Sequence, residues 1–307
     1  MHIGPPLRRF QQATSRSLDF EESRGITAPQ FSVLSAIVSS PGIDQRSVVA
    51  TTFVDRSTVA KVIGRLVDRE LVRVSRNPLD TRRDSLMPSP AGIALLYEAT
   101  PELLRRHDML LSAIPCPERE GFLRALEAAG YEGRKEPPSR YVIPSPDGAR
   151  PPLDVQWGLG RLVRACLQRY TRLWAEDITA VTLAQWVALM ALTADEEFDQ
   201  RTLGEAIGLD KASTTVLLAR MLRQAWITKS MDPLDGRRRI LRLTPAGERL
   251  VATVELQATR LDEAFIGPLN GGQRAAFLSG LEVLAAPATP VARACPDSRG
   301  LSRAGQG

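Results

Sequence analysis

Basic and short hydroxyl side chains gather at two places 155 residues apart, Arg56-Ser57-Thr58 with Lys61 and Lys211-Ala212-Ser213-Thr214. Each group is followed by an arginine cluster, Arg82-Arg83 in the first case and Arg237-Arg238-Arg239 in the second. Guanidinium forks grip a phosphate or the edge of a base in a planar, paired geometry, whereas an ammonium acts as a point charge. Bond-making chemistry needs other parts. No nucleophile with its base and no Gly-rich phosphate loop can be picked out, and Gly271-Gly272 lacks the further glycines such a loop requires. The cysteines (Cys116, Cys166, Cys295) and histidines (His2, His107) are scattered, so neither a metal site nor a cofactor is expected. The chemistry on offer is recognition of a polyanion, not catalysis, and no enzyme is expected.

The elements that must carry these residues occur twice. Residues 27–92 align with 182–247 without a gap: Asp44-Gln45-Arg46 with Asp199-Gln200-Arg201, Asp55 with Asp210, Pro90-Ala91-Gly92 with Pro245-Ala246-Gly247. A unit of this length is a domain, so two related domains are fused. Thr27-Ala28-Pro29-Gln30 and Thr182-Leu183-Ala184-Gln185 are capping boxes, a hydroxyl N-cap with Gln three residues on, each opening a short apolar helix. Asp44 and Asp199 cap a second short helix, and Asp55 and Asp210 a third, longer one. Val59, Val62, Ile63, Leu66 and Val67 recur at helical spacing in that third helix. Two short helices around a tight turn, the second opening on polar and basic residues, describe a helix-turn-helix.

Leu71-Val72-Arg73-Val74 and Trp226-Ile227-Thr228-Lys229 then have strand composition. Each leads into a Pro-Leu-Asp turn, an arginine tip and a return strand ending at Ser89-Pro90 or Thr244-Pro245, an N-cap with proline at the first helical position. That is a wing followed by a long helix. The string over 55–92, and its copy over 210–247, resembles the multiple-antibiotic-resistance regulator (MarR) family of winged-helix transcription factors. The resemblance covers about 5–130 and 155–286 and rests on an ordered set of motifs found twice: the Asp-x-Ser/Thr recognition helix, the Asp-x-Arg-Arg wing and Ser/Thr-Pro-Ala-Gly.

The resemblance implies an assembly as well as a fold. Family members are homodimers whose first and last helices intertwine, setting two winged lobes on successive major grooves of duplex DNA. Leading helices are expected over 7–24 and 155–176, and trailing pairs over 90–130 and 245–286. The expected fold is therefore mainly α with small β wings (α+β): two winged helix-turn-helix domains plus intertwined N- and C-terminal helices forming an intramolecular pseudo-dimer. The division is 5–131 for the first domain, 132–152 for a stiff, exposed Pro-rich linker, 153–286 for the second domain and 287–307 for a disordered tail. The expected partner is double-stranded DNA. The chain is expected to act as a monomer that is its own pseudo-dimer, with further oligomerisation left open.

On this reading Arg56, Ser57, Thr58 and Lys61 meet base edges from the first head, and Lys211, Ala212, Ser213 and Thr214 from the second. Arg82 and Arg83, with Arg237, Arg238 and Arg239, are wing residues for the minor groove, and by the family pattern Arg82 and Arg237 enter it. Thr27, Arg46, Thr182 and Arg201 sit at helix starts where phosphate contact is expected. The heads differ, Lys61 facing Val216 and Arg56 facing Lys211, so two unequal half-sites are expected. Relatives release DNA on binding small, often aromatic compounds, and Phe31, Trp174 and Trp186 lie near the segments that would line such a pocket. The opposing reading is that these rings are core. Cys166 lies on an apolar stripe with Leu159, Leu162, Val163 and Tyr170 and reads as structural, while His107 reads as a solvated helix residue. A winged-helix module that binds protein is the rival class.

Composition agrees with all of this. The chain has 307 residues, 43% hydrophobic and 24% charged, with a net charge of +5 that favours a polyanionic partner only modestly. No run of eighteen apolar residues and no secretory signal can be read, so no membrane association and a cytoplasmic location are expected.

Overall fold

The computed structural model describes residues 2–17, 25–76, 84–133, 141–155, 158–194, 197–232, 235 and 238–285. The tail at 287–307 and the wing-tip arginines Arg82, Arg83 and Arg237 lie outside the described residues. In chain order the first copy runs α1 (Gly4–Ser17), α2 (Ala28–Ser39), α3 (Gln45–Thr52), α4 (Arg56–Asp68), β1 (Val72–Arg76), β2 (Asp84–Pro88), α5 (Pro90–Leu110), a 3₁₀ turn and α6 (Cys116–Tyr131). A short pair, β3 (Tyr141–Ile143) and β4 (Leu153–Val155), precedes the second copy. That copy runs α7 (Leu159–Asp177), α8 (Leu183–Ala191), α9 (Gln200–Ile207), α10 (Lys211–Arg223), β5 (Ile227–Met231), β6 (Arg239–Leu243), α11 (Pro245–Ile266) and α12 (Gly271–Ala285). The described residues contain no helix long and apolar enough to cross a membrane.

The chain forms two compact units, and neither is continuous in sequence. Unit 1 joins Met1–Gln12 to Leu167–Asn270, and unit 2 joins Ala13–Cys166 to Gly271–Gly307. Most of the first copy therefore lies in unit 2, and most of the second in unit 1.

In unit 2, helices α2 to α4 and the β1–β2 hairpin close over a core that includes Leu34, Ile37, Val48, Val59, Leu66 and Leu96. Thr27 accepts the Gln30 amide while Gln30 Oε1 takes the Thr27 N–H at 2.9 Å, which fixes the start of α2. The wing returns to the turn before α3: Ile43 bridges Leu86, with Leu86 N–H on Ile43 O at 3.0 Å. Helix α12 packs on α6, where a side chain at Gly280 would meet the Phe122 ring at 2.2 Å. In unit 1 the equivalent lobe packs around aromatic rings, Trp174 lying 5.9 Å from Trp186 and Tyr170 5.3 Å from Phe265 between ring centroids. Ile3, just before α1, and Leu7 and Phe10 on it are buried in the same unit.

The Ser/Thr-Pro-Ala-Gly motif has a steric explanation. Ser89 N–H binds Leu71 O, and Thr244 N–H binds Trp226 O, both at 3.0 Å, which lays the long helix across the start of the strand. A Cβ on Gly92 would sit 2.2 Å from Leu71 O, and one on Gly247 would sit 2.1 Å from Trp226 O. Only glycine permits that approach, and its own N–H is capped by the Ser89 or Thr244 hydroxyl.

Three expectations are corrected. The segment between the copies is not simply an exposed linker: Tyr141 pairs with Val155 and Ile143 with Leu153, and Tyr141, Ile143 and Val155 are buried in the core of unit 2. Alternating apolar residues on a short strand drive this, as they would in any half-buried hairpin. Val155 is accordingly a strand residue, and the helix starts at Leu159. His107 is 1% exposed, because α5 turns that face inward.

Candidate nucleic-acid interface

Both recognition helices start the same way. Asp55 accepts the Thr58 N–H at 2.9 Å and the Ser57 hydroxyl at 2.7 Å; Asp210 accepts the Ser213 N–H at 2.8 Å and its hydroxyl at 2.9 Å. Hydrogen bonds from Thr58 and Ser57 pull the Asp55 carboxyl down to about 2. Asp210 is held below the usual range by Ser213. The next residue in each helix is a cation, Arg56 or Lys211, both exposed. A positive charge at the first helical position opposes the helix dipole, so it gains nothing there from the fold itself. Its placement makes sense toward an outside anion.

The exposed faces can be read residue by residue. Arg56, Ser57 and Lys61 are exposed on α4, with Thr58 partly so; Lys211, Ala212 and Ser213 are exposed on α10. Thr214 departs from expectation. It is 1% exposed, gives its hydroxyl to Asp210 O at 2.7 Å, and lies against Gly204 of α9. The neighbour that points outward is Thr215, which receives a hydrogen bond from Gln200 Nε2 at 2.7 Å. Thr215 follows Thr214 by one residue, and only the packing of α10 on α9 tells which of the two hydroxyls faces outward.

The second wing is also divided. Arg238 does not project. Its guanidinium is held by Asp199 at 3.3 Å, by Asp232 at 3.4 Å and by Glu197 O at 2.9 Å. It braces the hairpin against the N-cap of α9, where Asp199 also takes the Thr202 N–H. Arg239 opens β6 opposite Met231 and is exposed. Among the proposed phosphate contacts, Arg46 and Arg201 are exposed, but Arg201 is paired with Glu205 at 3.1 Å. The Thr27 and Thr182 hydroxyls accept the Gln30 and Gln185 N–H groups at 3.4 and 3.2 Å.

The three candidate pocket rings do not share a site. Trp174 and Trp186 are 2% and 0% exposed in the core of unit 1, Trp174 Nε1 donating to Val181 O. Phe31 lines a small cavity in unit 2 that is partly open to solvent. The other walls carry Arg161, Arg164, His107, Tyr141, Ser32 and Ser35. Arg164 donates to Thr52 O and Ser32 Oγ, each at 2.9 Å, and the Arg161 guanidinium lies 5.0 Å from the centre of the Tyr141 ring. The signal in the sequence was a pair of arginines, three apart, on the same helix as an apolar stripe.

A model described as MarR family matches residues 24–83 and 181–238. The transcriptional regulator HosA of Escherichia coli O111:H- is 30% identical over 116 residues, 38% of this chain and 86% of that protein. The HTH-type transcriptional repressor NicR of Pseudomonas putida is 31% identical over 129 residues, 41% of this chain and 82% of that protein. Among solved structures, the PcaV transcriptional regulator from Streptomyces coelicolor, in complex with its natural ligand, is 33% identical over 42% of this chain and 92% of that one, with a TM-score of 0.38. HosA and NicR are matched over most of their own length by less than half of this chain, as expected where one chain carries two such units. With the family pattern present twice, on two capped recognition helices and two wings, this chain belongs to the MarR family of winged-helix, DNA-binding transcription regulators.

Proposed function

We propose that one chain acts as a pseudo-dimeric repressor, reads two unequal half-sites about one helical turn apart, and is released by a small-molecule effector. One observation carries the half-site reading: the same capped scaffold presents Arg56, Ser57 and Lys61 in one copy and Lys211, Ala212 and Val216 in the other. A guanidinium clamps guanine through two hydrogen bonds and an ammonium does not, so the heads prefer different bases. The pseudo-dimer is supported by residues 2–12 folding with the second copy and α12 with the first. Effector control is supported by the cavity of unit 2, which brings two cations and aromatic walls together.

The test is a footprint of the purified chain on the DNA upstream of its coding region, titrated to stoichiometry. Asymmetric protection by one chain per site is the expected result; a symmetric site protected by two chains overturns it. A second reading has its own support. Val216 and Met231 are 54% and 58% exposed on the second recognition helix and wing, which suits a protein contact at that head. Log affinity that falls steeply with log salt favours DNA, because each phosphate contact releases counterions; a flat response favours the protein partner.

A further inference from the structure

We propose that the second head reads thymine through its 5-methyl group, while the first reads guanine through Arg56 and Lys61. Val216 is the residue that sets the thymine preference, with Ala212 and Thr215 beside it. The assignment rests on the unequal half-site reading and names the bases that tell the two half-sites apart.

The hydroxyl donors of the second head are already committed. Ser213 gives its hydroxyl proton to Asp210 Oδ2 at 2.9 Å, Thr214 to Asp210 O at 2.7 Å and Thr215 to Lys211 O at 2.8 Å. A hydroxyl has one proton to give, so none of these can also donate to an acceptor on a base edge. Thr215 in addition accepts from Gln200 Nε2 at 2.7 Å, which leaves its methyl as the group open to a partner. Ala212, Thr215 and Val216, spaced i, i+3 and i+4, share one face of α10, and all are exposed. That face offers methyl groups. In the major groove thymine is set apart by its own methyl, and apolar contact is what reads it.

The fold itself does not ask for Val216. The side chain is 54% exposed, so it gives little to the core. Valine is also a poorer helix former than the lysine at the matching Lys61, because its branched Cβ loses rotamer freedom in a helix. One exposed valine is ordinary on a protein surface, and its surroundings decide what covers it. Lys211 opens α10, Arg220 and Arg223 lie in its last turn, all three are exposed, and the helix contains no acidic residue. An apolar protein surface gains nothing from those cations, whereas the phosphates that flank a major groove pair with them. The first head differs at the matching positions, which hold Ser57, Ala60 and Lys61. Ser57 gives its hydroxyl to Asp55, so the exposed Arg56 and Lys61 carry the donors, and charged donors suit guanine O6 and N7.

The experiment uses a duplex that the full chain selects from a random-sequence library. Thymines of one half-site at a time are then replaced by deoxyuridine, which lacks only the methyl group. Selection is expected to enrich thymine in one half-site and guanine in the other. Deoxyuridine should weaken binding by about fourfold or more in the thymine half-site and by less than about twofold in the other. Val216→Ala, at an exposed helical position where the thermal melt is retained, should weaken binding to the thymine duplex. It should also shrink the deoxyuridine effect below about twofold, because either change removes the same contact. A full deoxyuridine effect in Val216→Ala, an equal effect in both half-sites, none in either, or a selection without that division of bases overturns the assignment. If exchanging the half-sites still weakens binding, the unequal heads stand and only the methyl assignment falls. A chain that selects no duplex overturns both, and leaves Val216 to a protein partner.

Discussion

At the scale of single residues, this protein separates groups that hold the fold from groups left for a partner. Thr214 and Arg238 carry the right chemistry for DNA, but their donors are already bound inside the unit. Arg56 and Lys211 are placed where the helix dipole disfavours them, so their cost is recovered only outside the molecule. Replacing Arg56 with Lys should therefore weaken binding to the native operator by about 1–3 kcal/mol and relax preference at one base position, read by gel shift against a substituted operator set. Asp55 is expected to behave differently. Its folded carboxyl lies near 2 against an ordinary 3.8, so its contribution is fully present above pH 3.8 and is lost as the pH falls toward about 2. Asp55→Ala should cost about 0.5–2 kcal/mol at neutral pH and flatten that acid limb in urea unfolding; an unchanged acid limb would show the cap to be idle.

At the scale of elements, the junction between wing and long helix is the tightest feature of both copies. The carbonyls of Leu71 and Trp226 leave no room for a Cβ on Gly92 or Gly247. Each Gly→Ala change should force the helix off the strand and destabilise by about 1–3 kcal/mol, seen as a lowered unfolding midpoint. Gly64→Ala is the control, because a Cβ there meets nothing within 4 Å. The pattern of caps, Pro-Ala-Gly and apolar periodicity was legible because each acts within a few residues of itself. The β3–β4 hairpin was not: six prolines over 132–152 outweigh a three-residue strand until its core is known. His107 was misread for the same reason, since a helix face is inward or outward only relative to its neighbours.

At the scale of the whole molecule, the units cut across the copies. Residues 2–12 precede the first copy but belong to unit 1, so removing them should raise hydrogen exchange in α11 and the later turns of α7 and leave α2 unchanged. Faster exchange in α2 instead would sink the assignment. The unequal heads make a matching prediction for DNA. Exchanging the order of the two half-sites in the native operator, without changing their spacing, should weaken binding by about tenfold or more. Equal binding to both orders would remove the case for unequal reading.

Taken alone, the sequence determined the duplication, the winged helix-turn-helix in each copy and the family, because local caps, turns and periodicities encode them. Tertiary structure decided which of the candidate side chains are already held inside the fold. Arg238 and Thr214 were withdrawn by partners 39 and 4 residues away. It also assembled the cavity of unit 2 from residues spread between Phe31 and Arg164, whose identities carry no common pattern. Side-chain availability is a property of distance in space, and spacing along a chain records that distance only within a single helix or turn.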